Sequence, residues 1–222
     1  MRRRAWIALV VVLALVVLLV PGAGGRALRL ALGPGLVASL AGSFVGWVVA
    51  GVGYWMGDRV ERFLTRSGVA LLALPAVALG PLLAHGGLAG VLGALVWMRV
   101  WQAAVLLTGQ TRALGTSRFV EAAEALGAGR GRIYLRQFSP WLLPATLALG
   151  MEGAVLVIPF DLLFGLIGAG SAGLGTPVAE ALRHDDRGPL VAASVASVVV
   201  AISLVTLAAR VRRWASRHEG EG

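Results

Sequence analysis

Cysteine and lysine are both absent from this chain of 222 residues. Without cysteine there can be no disulfide and no thiolate metal site. Every one of the 20 basic residues is therefore arginine. Together with the excess of Ala, Gly, Val and Leu, that points to GC-rich coding, a codon effect before a functional one. Charge is scarce too: 14% of residues are charged and 58% are hydrophobic, where a soluble domain carries about a quarter charged residues. So much apolar surface belongs in a bilayer. Histidine is rare and scattered, at His85, His184 and His218. His184-Asp185-Asp186 is read as a solvated loop, because three adjacent residues seldom present metal-ligand geometry. There is no G-x-x-x-x-G-K-[ST], H-E-x-x-H or G-x-S-x-G pattern, so the chain carries no nucleotide-hydrolysis, zinc-protease or serine-hydrolase signature.

What is present is a series of long apolar runs. A spanning helix needs roughly 20 predominantly apolar residues. Six segments qualify: Trp6 to Val20, Leu36 to Met56, Gly68 to Leu83, Leu88 to Thr108, Trp141 to Ile167 and Leu190 to Ala209. The expected fold class is an all-α integral membrane protein with about six transmembrane helices. The first run follows Arg2, Arg3 and Arg4 and precedes PGAGG, which also suits a secretory signal peptide. It lacks a clear A-x-A cleavage pattern, so we read it as an uncleaved signal-anchor.

Arginine placement orients the spans. With the N-terminus in the cytoplasm, the inside segments hold fifteen arginines, among them Arg59, Arg62, Arg66, Arg112, Arg118, Arg130, Arg132 and Arg136. The outside segments hold only Arg26, Arg29, Arg183 and Arg187. That asymmetry is the positive-inside bias. It places both termini in the cytoplasm and explains the net charge of +9 without nucleic acid. The glycines of GSFVGWVVAGVG, Gly42 to Gly53, let helix backbones approach closely in lipid, and we read them as intramolecular packing.

The most structured interruption lies between the fourth and fifth spans. Thr116 and Ser117 are N-cap candidates, and Glu121 falls in the first turns, where a carboxylate suits the helix dipole. Ala122, Ala123 and Ala125 are helix formers without bulk. Gly127 is a natural stop. The expectation is a two-turn helix with a small-residue face flanked by Phe119 and Leu126, a knob able to lie across a groove in a partner. Arg130, Arg132 and Arg136 hold the next stretch at the membrane boundary, with Ile133, Tyr134 and Leu135 dipping into the interface. Pro140 and Pro144 break or tilt the start of the fifth span.

The stretch EAAEALGAGRGRIYLRQFSPWLLP, which begins at Glu121 and ends at Pro144, resembles the EAA loop of permease subunits in binding-protein-dependent ABC importers. It is most similar to the dipeptide, oligopeptide and nickel branch. Val120 to Ala123, Ala125 to Ala128, Arg132, Ile133, Arg136, Pro140, Leu143 and Pro144 match that pattern, and Phe119 stands for its aromatic. YWMGDRVERFLTR and the Phe164-Gly165-Leu166 run extend the resemblance over roughly residues 26–213. In place of the branch's usual segment between the first two spans stands PGAGGRALRLALG. A usual glutamate on the fifth span is Ile158 here, and Ser139 replaces the leucine before Pro140.

The resemblance implies a type I importer-permease architecture. Residues 1–25 would form the signal-anchor and outer linker, residues 26–213 the core with its coupling loop at 110–140, and residues 214–222 a polar tail. It implies that Phe119, Glu121, Ala122, Ala123, Leu126 and Gly127 dock on a cytoplasmic ATPase. The implied partners are a second homologous permease, two ABC ATPase subunits, an extracytoplasmic substrate-binding protein and membrane lipid. ATP and magnesium would be bound by the ATPase, leaving no cofactor in this chain, which is then not itself an enzyme. Peptides, nickel and metal chelates are the implied substrates.

Arg99, Glu152 and Asp161 lie inside apolar runs. A charge in the bilayer costs about 2.5–3.5 kcal/mol on insertion scales, so such residues face protein and pair. Arg99 and Glu152 fall near the midplane and are candidates for an ion pair that either fixes packing or lines a translocation path. Asp161 lies nearer the outer face, where no in-chain partner is obvious, and is expected in a substrate vestibule. An intramembrane enzyme, the competing class, would need polar groups clustered at one depth. A membrane scaffold would not need so specific a docking loop.

Overall fold

The computed structural model describes residues 29–73, 87–166 and 175–184, with further helical residues between 188 and 213. The predicted first span, the end of the third beyond residue 73, much of the sixth, His85, His218 and the tail at 214–222 lie outside the described residues. Every regular element described is helical. This follows from the solvent: a backbone without water to bond must satisfy its own N–H and C=O groups, which a helix does.

After a π-helical turn at Ala31–Gly35, which contains Pro34, come α1 (Leu36–Met56) and α2 (Asp58–Ala73), separated at Gly57. Then follow α3 (Gly87–Gly115), α4 (Arg118–Ala125) and the single turn α5 (Arg130–Ile133). A π-helical turn, Tyr134–Phe138, leads into α6 (Ser139–Ala154), then α7 (Val157–Leu166) and α8 (Gly175–His184). Among the described residues, three stretches are long and apolar enough to cross a membrane: Gly33–Met56, Leu88–Gly115 and Arg130–Phe164.

The second span has the predicted bounds. The others differ in instructive ways. The polar stretch from Asp58, expected as a connection before the third span, is already helical. Asp58 and Glu61 occupy its first turn, where carboxylates favour the positive end of the dipole. The fourth span runs seven residues beyond Thr108, to Gly115. Thr108 and Thr111 donate their hydroxyls to the carbonyls of Ala104 and Leu107, at 2.7 and 2.8 Å, so these polar residues stay within the helix. The basic stretch expected as a loop is helical from Arg130. Pro140 enters α6 in its first turn and Pro144 sits inside it. The helix absorbs both, with the π-helical turn just ahead of Pro140. The fifth span breaks at Val155 and Leu156, between α6 and α7.

Helix α1 packs most extensively on α3, then on α6. The contact face of α1 is a row of small buried residues: Ser39, Gly42, Ser43, Gly46 and Ala50. A Cβ on Gly46 would stand 2.6 Å from both the Ala103 Cβ and the Val100 carbonyl oxygen. The two backbones are therefore closer than any side chain at this position permits, the small-residue packing expected of the Gly42–Gly53 stretch.

Two core clusters flank this seam. One gathers Leu30, Val91, Leu95, Val157, Phe160, Phe164 and Leu204, which brings the predicted sixth span onto the same body. The other gathers Ala50, Tyr54, Leu107, Val120, Ile133, Tyr134, Phe138 and Leu142, at the arginine-rich end.

Replacing Gly46 by leucine will lower the thermal midpoint in detergent, by an overpacking cost of about 1–3 kcal/mol. At Gly93 an added Cβ meets nothing within 4 Å. Gly93→Ala will therefore match or exceed native stability, by up to about 1 kcal/mol, because alanine is the better helix former. Equal stability of Gly46→Leu and the native chain would contradict the close seam.

Candidate functional site: the α4 loop and the charges within the spans

The helix expected at the loop forms, as the eight residues of α4. Ser117 is its N-cap residue, with extended backbone, yet its hydroxyl makes no cap bond to α4. The Ser117 hydroxyl donates instead to the Leu114 carbonyl, and Thr116 donates to the Ala113 carbonyl at 2.9 Å. This corrects the predicted capping role. α3 ends immediately upstream, where its last carbonyls lack an i+4 helical donor; both hydroxyls turn back to them, the Leu114 carbonyl accepting the Ser117 N–H as well.

The C-terminal end behaves as the sequence suggests. Gly127 has φ of +79°. Its N–H donates to the Glu124 carbonyl at 2.8 Å, and the Ala128 N–H donates to Ala123 at 3.0 Å. This reciprocal pair is the Schellman arrangement, which terminates α4 and turns the chain toward α5.

Helix α4 does not present a uniform small-residue face. Val120 and Ala123 point inward and are buried with Leu107, Tyr134 and Phe138. Fully burying a valine side chain contributes about 1.5–3 kcal/mol, so one face of α4 is anchored to the spans. Phe119 is half-exposed, and its ring meets Phe138 edge-on at 6.4 Å. Glu121 and Ala122 are exposed, and Leu126 is 89% exposed. Of the six predicted docking residues, Ala123 thus serves the core. Phe119 is shared between core and surface. Glu121, Ala122, Leu126 and Gly127 remain on the outer side.

The anchor itself was not anticipated. Ile133 and Tyr134 are buried in the core rather than dipping into an interface, and only Leu135 of that trio is exposed. The Tyr134 hydroxyl donates to the Trp47 carbonyl at 2.7 Å. Its ring lies over Gly51, where an added Cβ would come within 2.5 Å of it. Phe138 is fully buried, with Tyr54 and Tyr134 around it at 5.1 and 6.3 Å between centroids. The aromatic pair four residues apart, Tyr134 and Phe138, together with Val120 and Ala123 three apart, was the available signal. Both spacings put their members on one helix face.

Within the spans, Arg99 is 5% exposed. Its guanidinium donates to the Gln102 side-chain oxygen on α3 and to the Leu149 carbonyl on α6. Glu152, one turn beyond Leu149, acts on it electrostatically. Arg99 lies in a tight seam: a Cβ on Gly153 would collide with both Arg99 and Ser39. Asp161 sits elsewhere, on α7, and is only 1% exposed. It is not free of interactions within the chain. This corrects the premise for placing it in a vestibule, because the segment from Val157 to Phe164 turns inward onto the first core cluster.

Residues 38–218 match the model of a family described as binding-protein-dependent transport system inner membrane component. The chain belongs to that family. Most of its length is covered, from the third residue of α1 through α8. No curated protein matches the chain. As a permease component it is the membrane part of a binding-protein-dependent importer, in a family that works with ATPase and substrate-binding partners and is generally not itself catalytic. Its apolar helices fit the inner membrane that the family description names.

Gly127→Val will strain the end of α4, since a left-handed backbone costs a residue with a Cβ roughly 1–2 kcal/mol. The amides of Leu126 to Ala128 should lose protection in hydrogen exchange, and Gly127→Asn should lose less. Unchanged protection in the valine variant would contradict the positive-φ turn.

Proposed function

We propose that this permease forms half of the translocation pore of an ATP-driven importer and couples to a cytoplasmic ATPase through α4. The observation that carries this reading is the two-sided character of α4. Its inner face, Val120 and Ala123, is fixed to the spans, while Glu121, Ala122 and Leu126 face outward. A helix built this way can receive a push from a partner and pass it inward. An 89% exposed leucine beside a glycine turn is what a partner's groove can bury.

In this mechanism ATP closes the dimeric ATPase, the docked α4 helices approach each other, and the spans reorient from inward-open to outward-open. Substrate arrives from an extracytoplasmic binding protein. ATP and magnesium stay with the ATPase. The second half of the pore is a homologous permease. The loop pattern favours the dipeptide, oligopeptide and nickel branch, hence a peptide, nickel or a metal chelate as substrate. The arginine asymmetry supports six spans with cytoplasmic termini.

We assign Arg99 to holding α3 against α6 rather than to an open path. Its hydrogen bonds to Gln102 and the Leu149 carbonyl offset part of the bilayer cost of an arginine. Glu152 belongs with that packing group. Asp161, a charge inside an apolar run, remains a translocation-path candidate.

The docking role is tested by co-purification with a candidate ABC ATPase co-expressed with the permease. The native chain should retain the ATPase, and Glu121→Lys combined with Gly127→Pro should lose it while remaining monodisperse in detergent. Equal retention by both, or by neither, would remove α4 as the dock.

A further inference from the structure

Both flanks of α4 are tied by ion pairs to the first turn of a single neighbouring helix. Glu61 and Asp58 stand three residues apart at the start of α2. Residues at that spacing lie on one face of a helix. Arg112 precedes α4, in the last turn of α3. Its Nε and Nη2 donate to the same Glu61 carboxylate oxygen, at 3.0 and 2.7 Å. Arg130 follows α4, at the start of α5, and its Nη1 lies 3.5 Å from the Asp58 carboxylate. The Arg130 guanidinium also stands 6.0 Å from the ring centre of Tyr54, the aromatic near the end of α1. These groups, with Glu124 of α4 itself, line one polar cleft of about 530 Å³.

The two pairs differ in strength. Glu61 is 7% exposed, so its carboxylate is largely withdrawn from water and needs a cationic partner, which Arg112 supplies. The Asp58–Arg130 pair is open to solvent and contributes little alone. It acts as the second point of a two-point attachment. Each charge also suits its own helix: the acids sit at the N-terminus of α2 and Arg112 at the C-terminus of α3.

We propose that the first turn of α2 is a clasp. Glu61 and Asp58 grip the residues before and after α4, so that α2 and α4 move as one body and the displacement of α4 reaches the spans through α2. Glu61, Asp58, Arg112 and Arg130 are then positioning residues for transport. This rests on the reading of α4 as the ATPase-docking helix.

The absence of cysteine gives a clean test by spin labelling. Arg66→Cys on α2 and Arg118→Cys at the start of α4 both replace exposed residues. The distance between the two labels is measured in the isolated chain and in the complex co-purified with the ATPase, with and without trapping by ATP and vanadate. The native protein should show one narrow distance that trapping leaves unchanged. Glu61→Gln with Asp58→Asn should lose that narrow distance, and Arg112→Lys should keep it. A control pair across the seam, Val45→Cys with Leu106→Cys, should be unaffected by either variant. A native α2–α4 distance that shifts on trapping, or an unchanged distance in the Glu61→Gln, Asp58→Asn variant, overturns the clasp. Should the variant also disturb the control pair, the native trapping result decides alone. If the ATPase does not co-purify with the native chain, it is the docking reading that fails, and the isolated chain still reports whether α2 holds α4.

Discussion

The close approach of α1 and α3 is the constraint on which the rest of this permease depends. Between helices in lipid there is no hydrophobic gain from expelling water, so association rests on van der Waals contact and hydrogen bonds. The row Ser39, Gly42, Ser43, Gly46, Ala50 supplies that contact by leaving room for the Val100 carbonyl and the Ala103 methyl. With the two backbones this close, Arg99 is brought to the α6 end of the seam, where the Leu149 carbonyl receives it. The same approach sets Tyr54 and Leu107 side by side at the arginine-rich end, creating the pocket that holds Phe138 and the inner face of α4.

From there the arrangement passes outward in layers. The aromatic group of Tyr54, Tyr134 and Phe138 joins α1 to the start of the fifth span. Tyr134 reinforces the joint by donating to the Trp47 carbonyl. Val120 and Ala123 rest on that group, and α4 offers its remaining face to the exterior. Apolar burial fixes α4 in position, while paired charges join the segments on either side of it to the start of α2. The two effects are complementary, because dispersion contacts alone have little directional preference and charge-assisted hydrogen bonds have a strong one.

Much of this was legible in the sequence, for identifiable reasons. The bounds of α1 follow from an uninterrupted apolar run closed by Gly57-Asp58. The end of α4 follows from a glycine that takes φ of +79° without strain. What was misread are places where one local rule met a competing one. Ser117 has the chemistry of an N-cap, but the Leu114 carbonyl at the end of α3 accepts its hydroxyl as well as its N–H. Arg130, Arg132 and Arg136 look like a solvated connection. Yet Ile133, Tyr134 and Phe138, interleaved with them, supply a buried stripe that makes the stretch helical. Asp161 looks partnerless along the sequence, yet it is 1% exposed and interacts within the chain.

The sequence by itself determined the membrane class, the helical character, the family and the location of the short helix α4 between the spans. Hydropathy, arginine asymmetry and a local motif are properties of contiguous residues, and the bilayer enforces backbone self-satisfaction whatever the packing. Only the tertiary structure decided which face of α4 is anchored and which is free. It alone joined Glu61 to Arg112 across 51 positions in the chain, and brought the buried Arg99 to the Leu149 carbonyl. Those outcomes depend on the distance between helices, which a row of glycines permits but does not specify until a partner helix fills it.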